Sequence, residues 1–344
     1  MSDHKFKQSK IMIPVLFAAL AVLMLLSLLI GRYPVSAGEA FHIVFVSPFV
    51  EQAATEDTRW IVVQILRLPR ILLATMAGLG RAMAGGAMQG VFRNPLVGPE
   101  ILGVSSGAAF GGVLAIFLGF GELPQIAASA FAFGCLALVL AFILAGAARQ
   151  HGVIGLVLAG LIIGGFFGSA TGLLTYMADP ETKLPNIVYW LMGSFAAATY
   201  DQVAFMAAVS LVAMPPLLGL SWRINILSLG DADAKALGVK INFLRWLIVV
   251  LVSLVVAAQV AVSGGVGWVG LIMPHLARML VGPDHVKLLP VSSLLGGIYL
   301  LLMDDLARSL TGGEIPIGLL TSMIGTPVFA FFFIKLHGKG WSND

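Results

Sequence analysis

Runs of apolar residues long enough to cross a bilayer follow one another from Ile11 almost to the end of the 344-residue chain, and charge falls in the gaps between them. A helix needs about 20 such residues to span the ~30 Å hydrocarbon layer. On that measure the pattern predicts ten spans, at 11–31, 68–92, 102–118, 125–148, 153–177, 201–219, 241–262, 268–281, 288–307 and 316–336. The stretch IVYWLMGSFAA (187–197) is too short to cross and is expected as a half-helix at one face or re-entering the membrane. The first run is too long for the apolar part of a signal peptide and lacks a small-residue cleavage site, so it is expected as a retained helix.

Composition agrees. Apolar residues make up 59% of the chain and charged residues 11%, against ~25% charged in a soluble domain. The expected class is an all-α polytopic membrane protein. No linker divides it, so it is expected as one membrane domain, 11–336, between short cytoplasmic tails at 1–10 and 337–344. With the N-terminus inside, alternating gaps place twelve lysines and arginines within the cell. Seven fall outside: Arg32, Arg59, Arg67, Arg70, Lys183, Arg278 and Arg308. That imbalance predicts both termini on the cytoplasmic side. The net charge of +3 then reflects topology and gives no ground for nucleic-acid binding. The single cysteine, Cys135, excludes an intrachain disulfide and is expected to pack in an apolar span.

Glycine is patterned. Gly160, Gly164, Gly168 and Gly172 share one face of the fifth span, and Gly103, Gly107 and Gly111 one face of the third. Such stripes let helix backbones approach closely, within a subunit, at a subunit interface or along a pathway. A weak echo joins GVFRNPLVGPEILG (90–103) and GGVGWVGLIMPHLA (264–277), which the predicted topology puts on opposite sides of the membrane. That is the mark of an inverted repeat, common in transporters.

Little here suggests covalent chemistry. Gly103-Val104-Ser105-Ser106-Gly107 fits the G-x-S-x-G nucleophile elbow, but it opens a membrane helix where a strand-turn-helix is required. No G-x-x-x-x-G-K-[ST] phosphate loop occurs, and the six histidines show no metal-ligand spacing. The inner gap holds SLGDADAKALGVK (228–240), expected as a short exposed helix with Asp231 and Asp233 at its positive end and Gly238 as terminator. It suits docking into a partner's cleft, or is merely a solvated surface helix. Arg67, Arg70 and Arg308 run against the charge rule. An acidic docking partner would account for them, as would headgroup contacts or pairing with Asp304 and Asp305. Arg81 is mid-span, where its cost of about 2.5–3.5 kcal/mol requires protein or water around it. Gln89 follows two turns on, on a similar face. Arg81 either touches an anionic cargo or is a buried arginine satisfied by carbonyls or an acid.

RLPRILLATMAG, AGGAMQGVFRNPLVGPEILGVSSGAAFG, DADAKALGV, SGGVGWVGLIMPHLARMLVGPDH and EIPIGLLTSMIGTPVF occur in that order. On these motifs the chain resembles, nearly end to end, the FecCD-type permeases of bacterial ABC importers for iron-siderophores, haem and vitamin B12. Only the N-terminal tail and the outer loop 32–66 fall outside the resemblance. It implies the type II importer permease fold, with about ten membrane helices in inverted repeats. It further implies a homodimer in the inner membrane, two partner ATPases that hold ATP and magnesium, and an extracytoplasmic binding protein. No cofactor or metal is implied in this chain, which would be a transport subunit and not an enzyme.

The resemblance makes Asp231, Ala232, Asp233, Ala234, Lys235, Ala236, Leu237, Gly238 and Val239 the ATPase-coupling helix, with Asp where Glu is frequent at its start. It makes Arg67, Arg70 and Arg308 the sites that meet the binding protein. Asn94 and Leu96 match the inner gate loop, and Val153 and Ile154 its other half. Arg81, Gln89, Gly160, Gly164, Gly168 and Gly172 are expected to line the pathway. The expected cargo is a metal chelate, with an anionic species such as molybdate as the alternative. An ion-driven secondary transporter would need mid-span carboxylates, which are absent from the sequence. A hydrolase built on Ser105 would react with a serine-directed probe.

Overall fold

The structure, a computed structural model, describes residues 2–46, 57–147 and 153–337. Arg149, His151 and the tail beyond His337 lie outside the described residues, as do 47–56 of the outer loop. Fourteen helices and no strand occur among the described residues. They are α1 (Ser2–Ser27), α2 (Ala37–Phe41), α3 (Thr58–Phe92), α4 (Val104–Phe117), α5 (Leu123–Ala147), α6 (Val153–Met177), α7 (Lys183–Met192), α8 (Tyr200–Gly219), α9 (Ser221–Leu229), α10 (Asp231–Ala236), α11 (Ile241–Ser263), α12 (Val269–Val281), α13 (His285–Ser309) and α14 (Ile317–His337).

Six of these are long and apolar enough to cross a membrane: α3, α5, α6, α8, α11 and α13. The other four predicted spans correspond to α1, α4, α12 and α14. Two of those depart from the simple pattern. α4 has 14 residues and α12 has 13, roughly 20 Å each at 1.5 Å per residue. Neither crosses on its own length. The helices fill the spans expected at 102–118 and 268–281 almost completely, and each is preceded by an irregular segment, 93–103 (with one 3-10 turn at Pro99–Leu102) and 264–268, that carries the path into the bundle. The half-helix expected at 187–197 forms as α7, shifted toward the N-terminus. Its Trp190 packs flat against Gly112 of α4, and its Ile187 is fully buried beside Val113 and Ile116.

The two entry segments are built alike. Gly103 caps α4 at φ +76°, and Trp268 caps α12 at φ +69°. Gly103 lies against Gly160 and Gly164 of α6; Trp268 lies against Gly325 of α14 and meets the Phe329 ring at a tilt of 56°. A 25-residue helix follows in each half, α5 and α13. α3 and α11, which precede the two segments, run in opposite directions, because Arg93 past the end of α3 and Arg245 near the start of α11 both reach Asp231. The sequence echo therefore marks an inverted repeat. Trp268 is the departure: an L-residue held left-handed where its counterpart is glycine, at a cost of roughly 1–2 kcal/mol.

Gly78 of α3 packs on Gly296 of α13, and Gly85 packs on Gly270 of α12, with no room for a Cβ in either case. These backbone contacts make α3 the axis of the subunit. α1 joins at its C-terminal end, where Ser27 meets Asp305 and Arg308. The start of α14 is held at that same end by the Ile317 N–H donating to the Gly193 carbonyl. The C-terminal end of α1 and the start of α14 are thus together, and both helices extend from there toward the end that carries α10.

Candidate functional site

Charged residues gather at the two ends of the bundle and at one place between them. At the α10 end, six residues form a helix closed by Gly238 at φ +76°, whose N–H donates to the Lys235 carbonyl while the Val239 N–H reaches Ala234. Ala234 is buried and anchors the helix; Ala232, Asp233, Lys235, Ala236 and Leu237 face outward. Asp231 was expected to complement the helix dipole and to open the ATPase-coupling helix. It also accepts hydrogen bonds on Oδ1 from Arg93 Nη2 (3.3 Å) and Arg245 Nη2 (3.0 Å). Arg245 is 2% exposed, and sequence reasoning had assigned it no role beyond the loop charge count.

Arg93 begins the segment 93–103. It is left-handed at φ +51°, and the next N–H, of Asn94, donates to the Gln89 carbonyl. Asn94 Oδ1 accepts from the Leu96 N–H at 2.9 Å, closing the turn and leaving the Leu96 side chain exposed. In the first turn of α6, Ile154 is exposed and Val153 is half-buried. Residues 148–152, which precede them and were expected to belong to the same gate, lie outside the described residues.

Gln89 was expected on a pathway. It is buried, accepting from Arg278 Nη2 at 2.9 Å and donating to the Leu271 carbonyl. Arg278 therefore belongs to the same end as Arg93, whereas the charge count had placed it outside. The correction follows from α12 running toward the α10 end, and it strengthens the imbalance.

Arg81 is likewise buried inside the subunit. It donates to Gln259 of α11, and its Nη2 pairs with Glu100 Oε1 at 2.7 Å. Of the two expectations, the structure shows the buried, acid-paired arginine. Sequence reasoning missed Glu100 because it assigned the residue to the inner gap beside the third span, away from mid-membrane. The returning chain carries it inward, to where Pro99 meets Gly270.

At the opposite end, the three outer arginines are all engaged internally. Arg70 binds both oxygens of fully buried Asp304 and also Glu314. Arg67 donates to the carbonyls of Leu28 and Tyr33 (both 2.6 Å). Arg308 donates to Asp305 and to the carbonyl of Ser27. Pairing with Asp304 and Asp305 is thus the arrangement seen for Arg70 and Arg308. All three still border one open hollow, with Arg32, Tyr33 and Glu314.

The glycine stripe of α6 divides. A Cβ on Gly160 would lie 2.2 Å from the Ile101 carbonyl, while those on Gly168 and Gly172 meet nothing within 4 Å. The first half packs within the subunit; the second faces an open surface with exposed Leu161, Phe166, Leu173 and Tyr176. No group of three or more metal-ligating side chains occurs among the described residues.

With this geometry in view, the model of the FecCD transport family matches residues 19–335. The chain belongs to the FecCD transport family. The match runs through 32–66, so the outer segment, expected to fall outside the resemblance, is part of it. Among FecCD relatives, the molybdate import system permease of Haemophilus influenzae is 46% identical, covering 94% of this chain and 95% of its own. The hemin transport system permease of Yersinia pestis is 39% identical over 82% and 86%. A solved structure described as an inward-facing conformation of a metal-chelate type ABC transporter superposes with a TM-score of 0.84, at 46% identity and over 94% and 98%. The chain is a multi-pass membrane permease of this family and fold.

Proposed function

We infer that this chain is the membrane subunit of an ATP-driven, binding-protein-dependent importer, and that its cargo is a molybdate-class oxyanion. The observation that carries the transport reading is α10, a six-residue helix at one end of the bundle, seated by buried Ala234 and by Asp231 on Arg93 and Arg245, with its outward face exposed. A surface of that size and exposure suits a cleft on a cytoplasmic ATPase. Its end of the bundle is then the cytoplasmic one, in the inner membrane. Two copies face each other across the open α6 surface beyond Gly168, and the Asn94–Leu96 turn with Val153 and Ile154 closes the inner mouth. The hollow bordered by Arg67, Arg70 and Arg308 receives acidic residues of the binding protein, exchanging or extending the internal pairs.

For the cargo, the 46% identity to a molybdate permease, against 39% to a hemin permease, favours the oxyanion over a metal chelate. Arg81 is not required to touch it, because Glu100 already neutralises that guanidinium. ATP and magnesium belong to the partner. The experiment is reconstitution in proteoliposomes with the cognate ATPase and binding protein, measuring ATP-dependent uptake of molybdate, haemin, cyanocobalamin and a ferric siderophore in parallel. Molybdate uptake alone supports the full reading. Uptake of a chelate instead keeps the importer and corrects the cargo. Uphill uptake without any ATPase would refute the importer.

A further inference from the structure

Asp231 is the first residue of α10, yet its carboxylate is directed back into the permease. One oxygen bridges two guanidiniums from separate elements: Arg93, which opens the entry segment 93–103, and Arg245 of α11. α11 also holds the far end of that segment. Fourteen residues along it, about 21 Å at 1.5 Å per residue, Gln259 accepts from Arg81, which pairs with Glu100. The segment is thus tied to α11 at both ends. At the Glu100 end the tie runs through the buried Arg81 side chain; at the Arg93 end it runs through a half-exposed carboxylate that belongs to α10.

We propose that Asp231 is the joint by which a displacement of α10 moves the Asn94–Leu96 turn. The inference rests on the importer reading and adds which contact transmits the stroke. Three features make this contact a transmitter and not only a brace. Arg93 is the last residue of the α3 cap, so a pull on its side chain acts on the backbone that leads into Asn94. Its left-handed backbone ends the helix and opens a turn closed by its own hydrogen bonds, so the turn follows Arg93 as a unit. Arg245, nearly wholly buried, gives the carboxylate a fixed point to pivot against, so that the long arm of Arg93 takes up the motion. A helix bound to the ATPase through its outward face keeps Asp231 as a side-chain link to the entry segment. Asp231 and both arginines are positioning residues; none need touch cargo.

The test uses the assembled importer and a reporter on the turn. Cys135→Ser removes the only thiol, and Leu96→Cys supplies one on the gate. Maleimide labelling of that thiol is compared in the nucleotide-free complex and after trapping with ATP and vanadate. In the parent, nucleotide is expected to change the labelling rate about ten-fold. Arg93→Gln is expected to reduce that change to less than two-fold while the ATPase still co-purifies and hydrolyses ATP, and Asp231→Asn to reduce it as far. Asp231→Glu is expected to restore it, and the Asp231→Asn/Arg93→Gln pair to be no worse than either alone. Arg93 lies outside α10, so Arg93→Gln decides the matter if Asp231→Asn loses the ATPase. A full nucleotide response in Arg93→Gln overturns the joint. A parent that binds no ATPase, or shows no nucleotide response, overturns the importer reading itself and the joint with it.

Discussion

Arg70 grips Asp304 with a two-pronged bond, Nη2 to Oδ1 at 2.7 Å and Nε to Oδ2 at 2.8 Å, between two helices far apart in sequence. Asp304 is fully buried and Arg70 nearly so. Breaking a buried pair from one side costs about 3–5 kcal/mol, a loss that Glu314 softens when Asp304 is the partner removed, because it also holds Arg70. Asp304→Ala should therefore lower the melting temperature of the detergent-solubilised chain sharply. Arg70→Met with Asp304→Leu should recover most of the loss, since a buried ion pair is often no better than packed apolar groups. Thermal unfolding followed by size-exclusion chromatography reads both outcomes.

Arg81 and Glu100 make a second cycle. Glu100 is more exposed than Arg81, so Glu100→Gln should be the milder change. Arg81→Met and Glu100→Gln together should fall short of the sum of the single losses by about 1–3 kcal/mol, the coupling expected of directly paired residues. Equal, additive losses in the same unfolding assay would disprove the pairing. Arg81→Ala with normal assembly and unchanged molybdate uptake would confirm that the residue does not handle cargo.

The α6 glycines should separate by position. Gly160→Ala drives a Cβ into the Ile101 carbonyl and should cost a few kcal/mol, as overpacking of a tight site does. Gly172→Ala meets open space and should gain up to about 1 kcal/mol from helix propensity. Folded yield after detergent extraction gives the ranking, and a Gly160→Ala protein as stable as the parent would contradict the contact.

Trp268 offers a test of backbone strain. Trp268→Ala loses the indole packing on Gly325 and Phe329 yet keeps the left-handed penalty; Trp268→Gly loses the same packing and sheds the penalty. The glycine variant should be the more stable of the two by about 1 kcal/mol. The reverse order would place the residue outside the left-handed region.

Much of this was legible from residue order. Apolar runs located the ten helices, because a membrane leaves only regular hydrogen-bonded segments as lipid-facing solutions. The paired entry motifs announced the repeat, and the outer arginines were matched in advance with Asp304 and Asp305 as possible partners. What was illegible shared one cause. Glu100 beside Arg81, Asp231 between Arg93 and Arg245, and Arg278 on Gln89 are all meetings of residues distant in the chain. A hydropathy pattern gives depth along the membrane normal and nothing about which helices are neighbours. Even depth failed at 93–103, where polar-looking chain turns back inside.

The continuous helix Thr58–Phe92 is 35 residues long, about 52 Å, in a hydrocarbon layer of ~30 Å. Its first turns accordingly stand clear of the lipid like a mast. A fluorophore or epitope fixed at exposed Thr58 would report, in intact cells, which compartment that mast stands in.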